Sequence, residues 1–454
     1  MQSTLHKIVV VGGGAGGLEL ATHLGKRLGL KRLALPTLVD GSPTHIWKPL
    51  LHEVATGSLN TGEDELNYFS HGHATGYEFQ FGWMNGLDVA KKVIKLAPIS
   101  VDDFDGKGSR VIAPPREVPY DTLVLAVGGV SNSFGTPGVD EHCVKLDAPK
   151  DAEFLRKRIL SQALSVSMGT SPQPKLRIGI VGGGATGVEL AAEIHHTICT
   201  LRSYGANLFE EQLQITIMEG GPRILGGGDP SLSTFATKEL KKRRIDVRTS
   251  CFIKAVTPTG FLLQDGTLLE KDIRIWTAGI KAPDWLSTLG LKTNKFNQIL
   301  TDGELAVGNS GAVFALGDCA AVPFQKVGEK PKNSKGPPPV MTPLFLPATA
   351  QVAHQQAEWL ASKLEARLTS KTCPPFTFKP QGMLVSLGEG KAVGSLAAIV
   401  GPQRDYYVQG RGAKLLYSSL YRMHQAVLYG WTRAGLLFIG DKLRHVALPQ
   451  LKLH

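Results

Sequence analysis

The sequence predicts an α/β fold with two Rossmann-like dinucleotide-binding domains, because one strand–turn–helix pattern occurs twice. The glycine-rich segments at residues 12–17 and 182–187 each follow an apolar, largely β-branched run and begin a helix-like run. A further apolar run at residues 311–320 continues the pattern of the first domain after the second has ended. The second domain is therefore predicted to be inserted in the first.

The glycines within each copy have separate predicted roles. Gly12 permits a tight turn, Gly14 lets the backbone approach a pyrophosphate, and Gly17 allows the helix to pack closely on the strand. The second copy offers the same three positions at Gly182, Gly184 and Gly187. The predicted phosphate-binding turns also contain Ala15, Gly16 and Thr186.

An acidic residue ends the second strand of each unit, where this fold binds ribose hydroxyls. Asp40 has this position in the first unit and Glu219 in the second. A carboxylate at Glu219 would repel a 2′-phosphate, which predicts a preference for NADH over NADPH. Arg223 lies four residues further on and could instead accommodate that phosphate.

Length, cysteine content and hydropathy narrow the class of protein. A chain of 454 residues has room for about three domains of about 150 residues each. Its five cysteines, at positions 143, 199, 251, 319 and 373, show neither close pairing nor zinc-site spacing, which predicts a reduced setting and no metal site. The first strand begins at Lys7, so no targeting segment is expected, and no stretch of 18 uncharged apolar residues predicts a membrane span.

The C-terminal tail, residues 411–454, concentrates positive charge. It contains seven basic residues and one acidic residue, in a chain whose formal net charge is +11. Leu416, Leu420, Met423, Val427 and Trp431 recur at helical spacing within it. A basic amphipathic tail of this kind is typical of a helix that lies on an anionic membrane surface.

The alternatives for the tail are a helix packed on the body of the protein or in a homodimer interface. Nucleic acid is not a predicted partner, because phosphate binding does not need the apolar face.

The chain is divided into four predicted segments. Residues 1–150 form the first part of one dinucleotide-binding domain, and residues 151–285 form the inserted domain. Residues 286–375 complete the first domain and contain a Lys/Pro-rich loop at 326–339. Residues 376–454 form a β-rich piece followed by the basic tail.

Several motifs together resemble those of the two-dinucleotide-binding-domain flavoproteins. These are Tyr-Asp-Thr-Leu-Val-Leu-Ala-Val-Gly at 120–128, Trp-Thr-Ala-Gly at 276–279 and Val-Phe-Ala-Leu-Gly-Asp at 313–318. The segments at 45–57, 187–193 and 350–356, together with the tail, are similar to type II NADH:quinone oxidoreductases. The likeness extends over nearly the whole chain.

The resemblance implies that the first unit binds FAD and the second binds NADH. Asp40 would bind the adenosine ribose, Asp318 the ribityl chain, and Lys48 would lie near the isoalloxazine. The alternative for Asp318 is an aspartate in a turn or helix cap, and from the residues alone Lys48 is equally an ordinary loop residue. The NADH side would include Gly279 and Glu189, although Glu189 also suits the first turns of a helix.

The segment at 347–351 predicts a helix start, and the resemblance places the N-terminus, at Ala350 and Gln351, beside the flavin. Gln351 and Gln355 are four residues apart and share one helix face. In the resembled family this face borders the quinone pocket, where an amide can bind a carbonyl without adding charge. A solvated glutamine pair is the alternative. Glu189, Gln351 and Gln355 are the predicted catalytic residues.

The resulting hypothesis is a non-proton-pumping enzyme that transfers a hydride from NADH to FAD and then two electrons to a membrane quinone. The expected location is peripheral, on the cytoplasmic face of the inner membrane. Two alternatives remain: a sulfide:quinone oxidoreductase, whose chemistry needs paired reactive cysteines, and an NADH-sensing flavoprotein with little catalysis.

Overall fold

The computed structural model describes residues 5–59, 61–102, 108–324, 344–388, 390–396 and 406–447. The Lys/Pro-rich loop predicted at 326–339 lies outside these residues. The described helices are α1 (Ala15–Leu24), α2 (Leu51–Thr56), α3 (Thr61–Asp64), α4 (Tyr68–Thr75), α5 (Val139–His142), α6 (Pro149–Ser167), α7 (Ala185–Ser203), α8 (Pro230–Lys242), α9 (Ala350–Leu368), α10 (Arg411–Tyr429) and α11 (Trp431–Ala447).

The chain forms two compact units. The first contains Met1–His45, Leu66–Val130 and Ile280–Lys379, and the second contains Ile46–Glu65, Ser131–Gly279 and Pro380–His454. The predicted insertion of one dinucleotide-binding domain in the other is confirmed. The units differ from the four predicted segments, because residues 46–65 and the C-terminal region both belong to the second unit.

The first unit is built on a five-stranded parallel sheet. Its strands lie in the order Val313–Ala315, Thr122–Leu125, His6–Val11, Ala34–Asp40 and Glu78–Phe81. The central strand is buried, as both faces of a parallel sheet are covered in this class of fold. Antiparallel strands accompany it at Met84–Asp88, Val93–Leu96, Arg116–Pro119, Ile99–Asp102 and Ser109–Ala113. Short strand pairs are Thr44–His45 with Leu66–Asn67, Ile299–Leu300 with Ala320–Ala321, and Pro323–Phe324 with Leu344–Phe345.

The second unit repeats the same architecture. Its five parallel strands lie in the order Val144–Lys145, Ile273–Trp276, Leu176–Val181, Leu213–Met218 and Asp246–Arg248. Helices α6 and α7 contribute buried side chains to one large apolar core with the sheet. Two antiparallel sheets complete the unit: Ile253–Val256, Gly260–Leu263 and Leu268–Glu270, then Gly382–Ser386, Ala392–Leu396 and Tyr406–Gly410.

The tail folds as a helical hairpin rather than as one helix. Helices α10 and α11 are separated at Gly430, whose φ of 83° favours glycine. Arg422 of α10 pairs with Asp441 of α11, and its guanidinium lies 5.4 Å from the Phe438 ring centroid. These contacts hold the two helices side by side. Within the described residues, we find no helix that has both the length and the hydropathy to cross a membrane.

Candidate functional sites of the two units

The first glycine turn has the geometry that a phosphate-binding turn requires. Gly12 has a φ of 104°, and a Cβ added at Gly17 would lie 1.8 Å from the carbonyl oxygen of Gly12. Both positions therefore exclude any other residue. Gly14 is the N-cap of α1, and a Cβ added there would meet no atom within 4 Å. The space beside Gly14 is open at a helix N-terminus, where backbone amides and the helix dipole favour an anion.

The second turn reproduces this arrangement. Gly182 has a φ of 109°, and a Cβ at Gly187 would lie 2.0 Å from the Gly182 carbonyl oxygen. Gly184, the N-cap of α7, again faces open space, with no atom within 4 Å of an added Cβ. Ala15, Gly16 and Thr186 lie in the first turns of these helices, and Gly16 allows close packing on Leu316 and Ala353. The residues present in both units thus fit a dinucleotide pyrophosphate.

The two acidic residues lie beside these turns. Asp40 accepts hydrogen bonds from the backbone N–H of Gly13 at 2.5 Å and of Ser42 at 2.7 Å. Burial raises the pKa of Asp40, and the backbone donors oppose that rise. Glu219 accepts from the N–H groups of Gly183 and Gly221, each at 2.6 Å. Both carboxylates therefore hold the glycine turn beside them in place.

Arg223 is engaged by its own loop. Its guanidinium donates to the backbone oxygens of Leu225, Gly226 and Gly228 at 3.3, 2.9 and 2.7 Å. These bonds use three of the five N–H donors of the guanidinium and hold it against its own loop, so that fewer donors remain for a 2′-phosphate. The structure therefore favours the interpretation in which Glu219 excludes that phosphate.

Helix α9 in the first unit carries the predicted glutamines. Thr349 caps it by accepting from the N–H of Val352, and the buried Gln356 accepts from the N–H of Gly317 at 2.7 Å. This bond ties α9 to the turn that contains Asp318. The Gln355 amide is paired with the backbone of Lys379, donating at 2.8 Å and accepting at 2.9 Å. Gln351, one residue after the helix start at Ala350, is half-buried.

His354 links α9 to α1 through an ion pair with the buried Glu19. The hydrogen bond that His354 donates to the Glu19 carboxylate raises the pKa of His354 above its ordinary value of 6.5. A histidine whose pKa is raised by folding stabilises the folded state. This contribution is complete below about pH 6.5 and is lost as the pH rises through the folded-state pKa.

We expect His354→Gln to reduce the free energy of unfolding by about 1 kcal/mol at pH 6 and by progressively less above neutral pH. The physical reason is that the charged imidazole, and with it the ion pair, disappears from the wild type as pH rises. Denaturant unfolding at several pH values checks this result. His73→Gln, at an exposed histidine, is the matched control. A loss of stability that is independent of pH would contradict the prediction.

Lys48 and Glu189 both belong to the second unit. The ammonium group of Lys48 lies 3.9 Å from a carboxylate oxygen of Asp147. Glu189 is buried in α7, and one of its oxygens accepts from the N–H of Ser386 at 3.0 Å. The predicted residue Gly279 has a φ of 66°, and a Cβ added to it would lie 2.3 Å from the ring of Phe134.

Three residues around these positions were not predicted as site residues. His52 and Tyr417 contact Glu189, and Phe134 is exposed with a φ of 52°, a strained value for an aromatic residue. His52 lies in the motif at residues 45–57, but Glu189 and Tyr417, which surround it, are distant from it in the chain. No local pattern distinguishes Tyr417 from the other tail aromatics.

The helical hairpin exposes several large apolar side chains. Trp431, Leu436 and Leu443 are 75%, 69% and 65% exposed. Six further large apolar residues of the hairpin are also exposed: Leu415, Leu416, Met423, Leu437, Phe438 and Ile439. Among the basic residues of the tail, Arg433 and Lys442 are exposed, whereas the side chain of Lys414 and the whole of Lys452 lie outside the described residues. Exposed apolar area of this size is unusual for a surface that faces only water.

Two parallel-sheet units, each with an open glycine turn and a carboxylate beside it, define an oxidoreductase that binds two dinucleotides. The model of the pyridine nucleotide-disulphide oxidoreductase family matches residues 6–357. A type II NADH:quinone oxidoreductase of Haemophilus influenzae is 36% identical, over 99% of this chain and 100% of the relative. The chain belongs to the type II NADH:quinone oxidoreductase family within that larger class.

Solved structures show the same fold. NDH2 from Plasmodium falciparum, solved in complex with NADH, superposes with a TM-score of 0.80 at 20% identity, covering 99% of this chain and 100% of that chain. The sulfide:quinone oxidoreductase of Aquifex aeolicus gives a TM-score of 0.69 at 18% identity, covering 94% and 92%. Since both enzymes share the architecture, the fold alone does not choose between their substrates.

Proposed function

We propose that the protein is a non-proton-pumping NADH:quinone oxidoreductase that uses FAD. The observation that carries this proposal is the pair of open glycine turns, at Gly14 and Gly184, on two separate parallel sheets. One turn suits the pyrophosphate of FAD and the other that of NADH. The net reaction converts NADH, one proton and a quinone into NAD⁺ and a quinol.

The protein's contribution is positioning and charge. FAD, when bound, would supply the chemistry that takes up a hydride and passes on two electrons. Asp40 and Asp318 would orient FAD, and the N-terminus of α9, at Ala350 and Gln351, would offer partial positive charge to its pyrimidine edge. Gln351 would bind a quinone carbonyl. Because the Gln355 amide already binds the Lys379 backbone, we propose that Gln355 shapes this pocket by fixing the adjoining segment.

An anaerobic titration tests the function directly. The purified holoenzyme is titrated with NADH and then with a short-chain quinone while the flavin absorbance is recorded. We expect one equivalent of NADH to bleach the flavin and one equivalent of quinone to restore its colour. A flavin that NADH does not bleach contradicts the proposal. Bleaching without reoxidation by quinone would instead support an NADH sensor.

Sulfide:quinone chemistry is disfavoured by the state of the cysteines. All five are free thiols. Cys319, next to Asp318, is fully buried, and burial raises its pKa to about 12. Burial also raises the pKa of Cys143 to about 12. A thiol with such a pKa remains protonated near neutral pH and is a poor nucleophile.

The donor preference is proposed to depend on the charge of Glu219. We expect Glu219→Gln to raise kcat/KM for NADPH relative to NADH by about tenfold, because a charge repulsion worth about 1.4 kcal/mol is removed. Glutamine retains one acceptor for the loop amides, so the turn should persist. Steady-state kinetics with both donors give the ratio. Glu211→Gln, at an exposed carboxylate, is the control, and an unchanged ratio in Glu219→Gln would count against the proposal.

We propose that the helical hairpin binds an anionic bilayer surface at the cytoplasmic face of the inner membrane. The exposed series of Leu, Phe, Ile and Trp side chains supports insertion at an interface, and the neighbouring Arg433 and Lys442 support attraction to anionic headgroups. Free thiols suit a protein on the reducing side of that membrane. The alternative is a homodimer that buries the same face. In the first case the hairpin binds lipid vesicles, and in the second it binds another copy of the chain.

A further inference from the structure

The first tail helix reaches a buried cluster of ionisable groups inside the second unit. We call His52, Glu53, Glu189 and Tyr417 the Glu189 cluster. Its members come from α2, α7 and α10, which all belong to the second unit. His52 is 1% exposed and Glu189 is 6% exposed. Burying so many polar groups is unfavourable unless they bind one another, so their geometry needs a physical explanation.

The contacts within the cluster are specific. The hydroxyl of Tyr417 is hydrogen-bonded to Glu189 and lies 3.5 Å from Nε2 of His52. Nδ1 of His52 is 3.7 Å from Oε2 of Glu189, and it is also 3.0 Å from the carbonyl oxygen of Pro49, which orients the ring. The N–H of Ser386 donates to the other oxygen of Glu189. Glu189 therefore accepts one backbone donor and one hydroxyl donor.

The position of Glu189 gives the cluster a functional setting. Glu189 lies on α7, the helix whose N-cap, Gly184, forms the open phosphate turn. The carboxylate is thus fixed on the same rigid element that would bind NADH. A change in its charge or orientation would therefore act on the helix that we propose to bind NADH.

We propose that Tyr417 is a positioning residue for Glu189: its hydroxyl, supplied by the first tail helix, holds this carboxylate ionised and in one orientation during reaction with NADH. The inference rests on the proposed function. Helix α10 would then have two functions, because it carries both Tyr417, which would orient Glu189, and the exposed side chains Leu415 and Met423 of the proposed membrane surface.

The electrostatic surroundings keep Tyr417 a donor. Burial raises the pKa of Tyr417 far above its ordinary value, and the carboxylates of Glu189, Glu53 and Glu193 raise it further. The hydroxyl therefore remains protonated across the working pH range. Donation to a carboxylate favours the ionised form of that carboxylate, so losing the donor shifts the balance toward the protonated form.

Tyr417→Phe is the direct test, because it removes one oxygen and retains the buried ring. We expect the rate of flavin reduction by NADH, measured by stopped flow, to fall about tenfold, as for loss of a hydrogen bond to a charged group. The acidic limb of its pH profile should move up by about one pH unit, while the Kd for NADH changes by less than about twofold. Tyr429→Phe, on the same helix, is the matched control and should leave the rate and the profile unchanged.

Infrared spectroscopy gives a readout that does not depend on turnover. At pH 6, Tyr417→Phe should show a protonated-carboxyl C=O band that is absent from the wild type and disappears in the double variant with Glu189→Gln. A Tyr417→Phe protein with wild-type melting temperature, pH profile and infrared spectrum overturns the inference. Failure of the wild type to reduce quinone would overturn the proposed function instead, and the infrared comparison would still test the contact.

Discussion

Gly14→Asp is expected to yield a folded protein that has lost FAD and still binds NADH, whereas Gly184→Asp is expected to retain FAD and bind NADH at least about 100-fold more weakly. Each glycine is the N-cap of its helix and faces open space. Aspartate is a favourable N-cap residue, so the helix should be preserved. Its carboxylate, however, would take up the amides and the space that a pyrophosphate needs, and would repel that anion.

Flavin absorbance after purification and the equilibrium Kd for NADH measure the two effects separately. Gly303→Asp is the control, because a Cβ there also meets no atom within 4 Å but the residue is far along the chain from both turns. If both variants lost the same ligand, or if Gly184→Asp lost only FAD, the assignment of one dinucleotide to each turn would be wrong.

Replacing three exposed apolar residues of the helical hairpin is the second change with a large expected effect. We expect the combined variant Trp431→Ser, Leu436→Ser and Ile439→Ser to bind anionic vesicles at least about 100-fold more weakly, since each large side chain contributes about 1.5–3 kcal/mol on burial. Those side chains are 75%, 69% and 56% exposed, so the free protein should keep its stability. Reduction of a vesicle-embedded quinone should fall with binding, whereas reduction of a short-chain soluble quinone should not change.

Sedimentation with vesicles of phosphatidylglycerol, compared with phosphatidylcholine, measures the apolar and the charge contributions. Binding should be tighter to the anionic lipid and should weaken with salt. A triple serine variant at Phe154, Met168 and Phe209, which are also exposed, is the control. Unchanged vesicle binding in the hairpin variant would contradict a membrane role. Conversion of a wild-type dimer into a monomer by the same changes would support the homodimer alternative.

The glycine turns and their carboxylates were predictable because their geometry is local. Gly12, Gly14 and Gly17 lie within a few residues of one another, and the steric rules that require glycine act within a single strand–turn–helix. Asp40 follows at the end of the next strand. The fold class, the insertion and the family could therefore be predicted from periodicity and motif.

Contacts between distant segments could not be predicted in this way. The sequence offered Gln355 as a solvated or quinone-facing amide, and only the structure shows it paired with Lys379. Arg223 was ambiguous until its loop supplied three carbonyl partners. An arginine can bind either a phosphate or backbone carbonyls. Only the path of the following backbone decided which acceptors lie near Arg223.

The amino-acid sequence by itself predicted two dinucleotide-binding units, with one glycine turn and one acidic residue in each, and an apolar and basic tail, because these properties depend on neighbouring residues. Tertiary structure alone decided that the tail is a hairpin and that Tyr417 and His52 lie beside Glu189. Side chains from three helices meet there only after the second unit has packed its core, and no short-range pattern specifies which buried groups will then share hydrogen bonds.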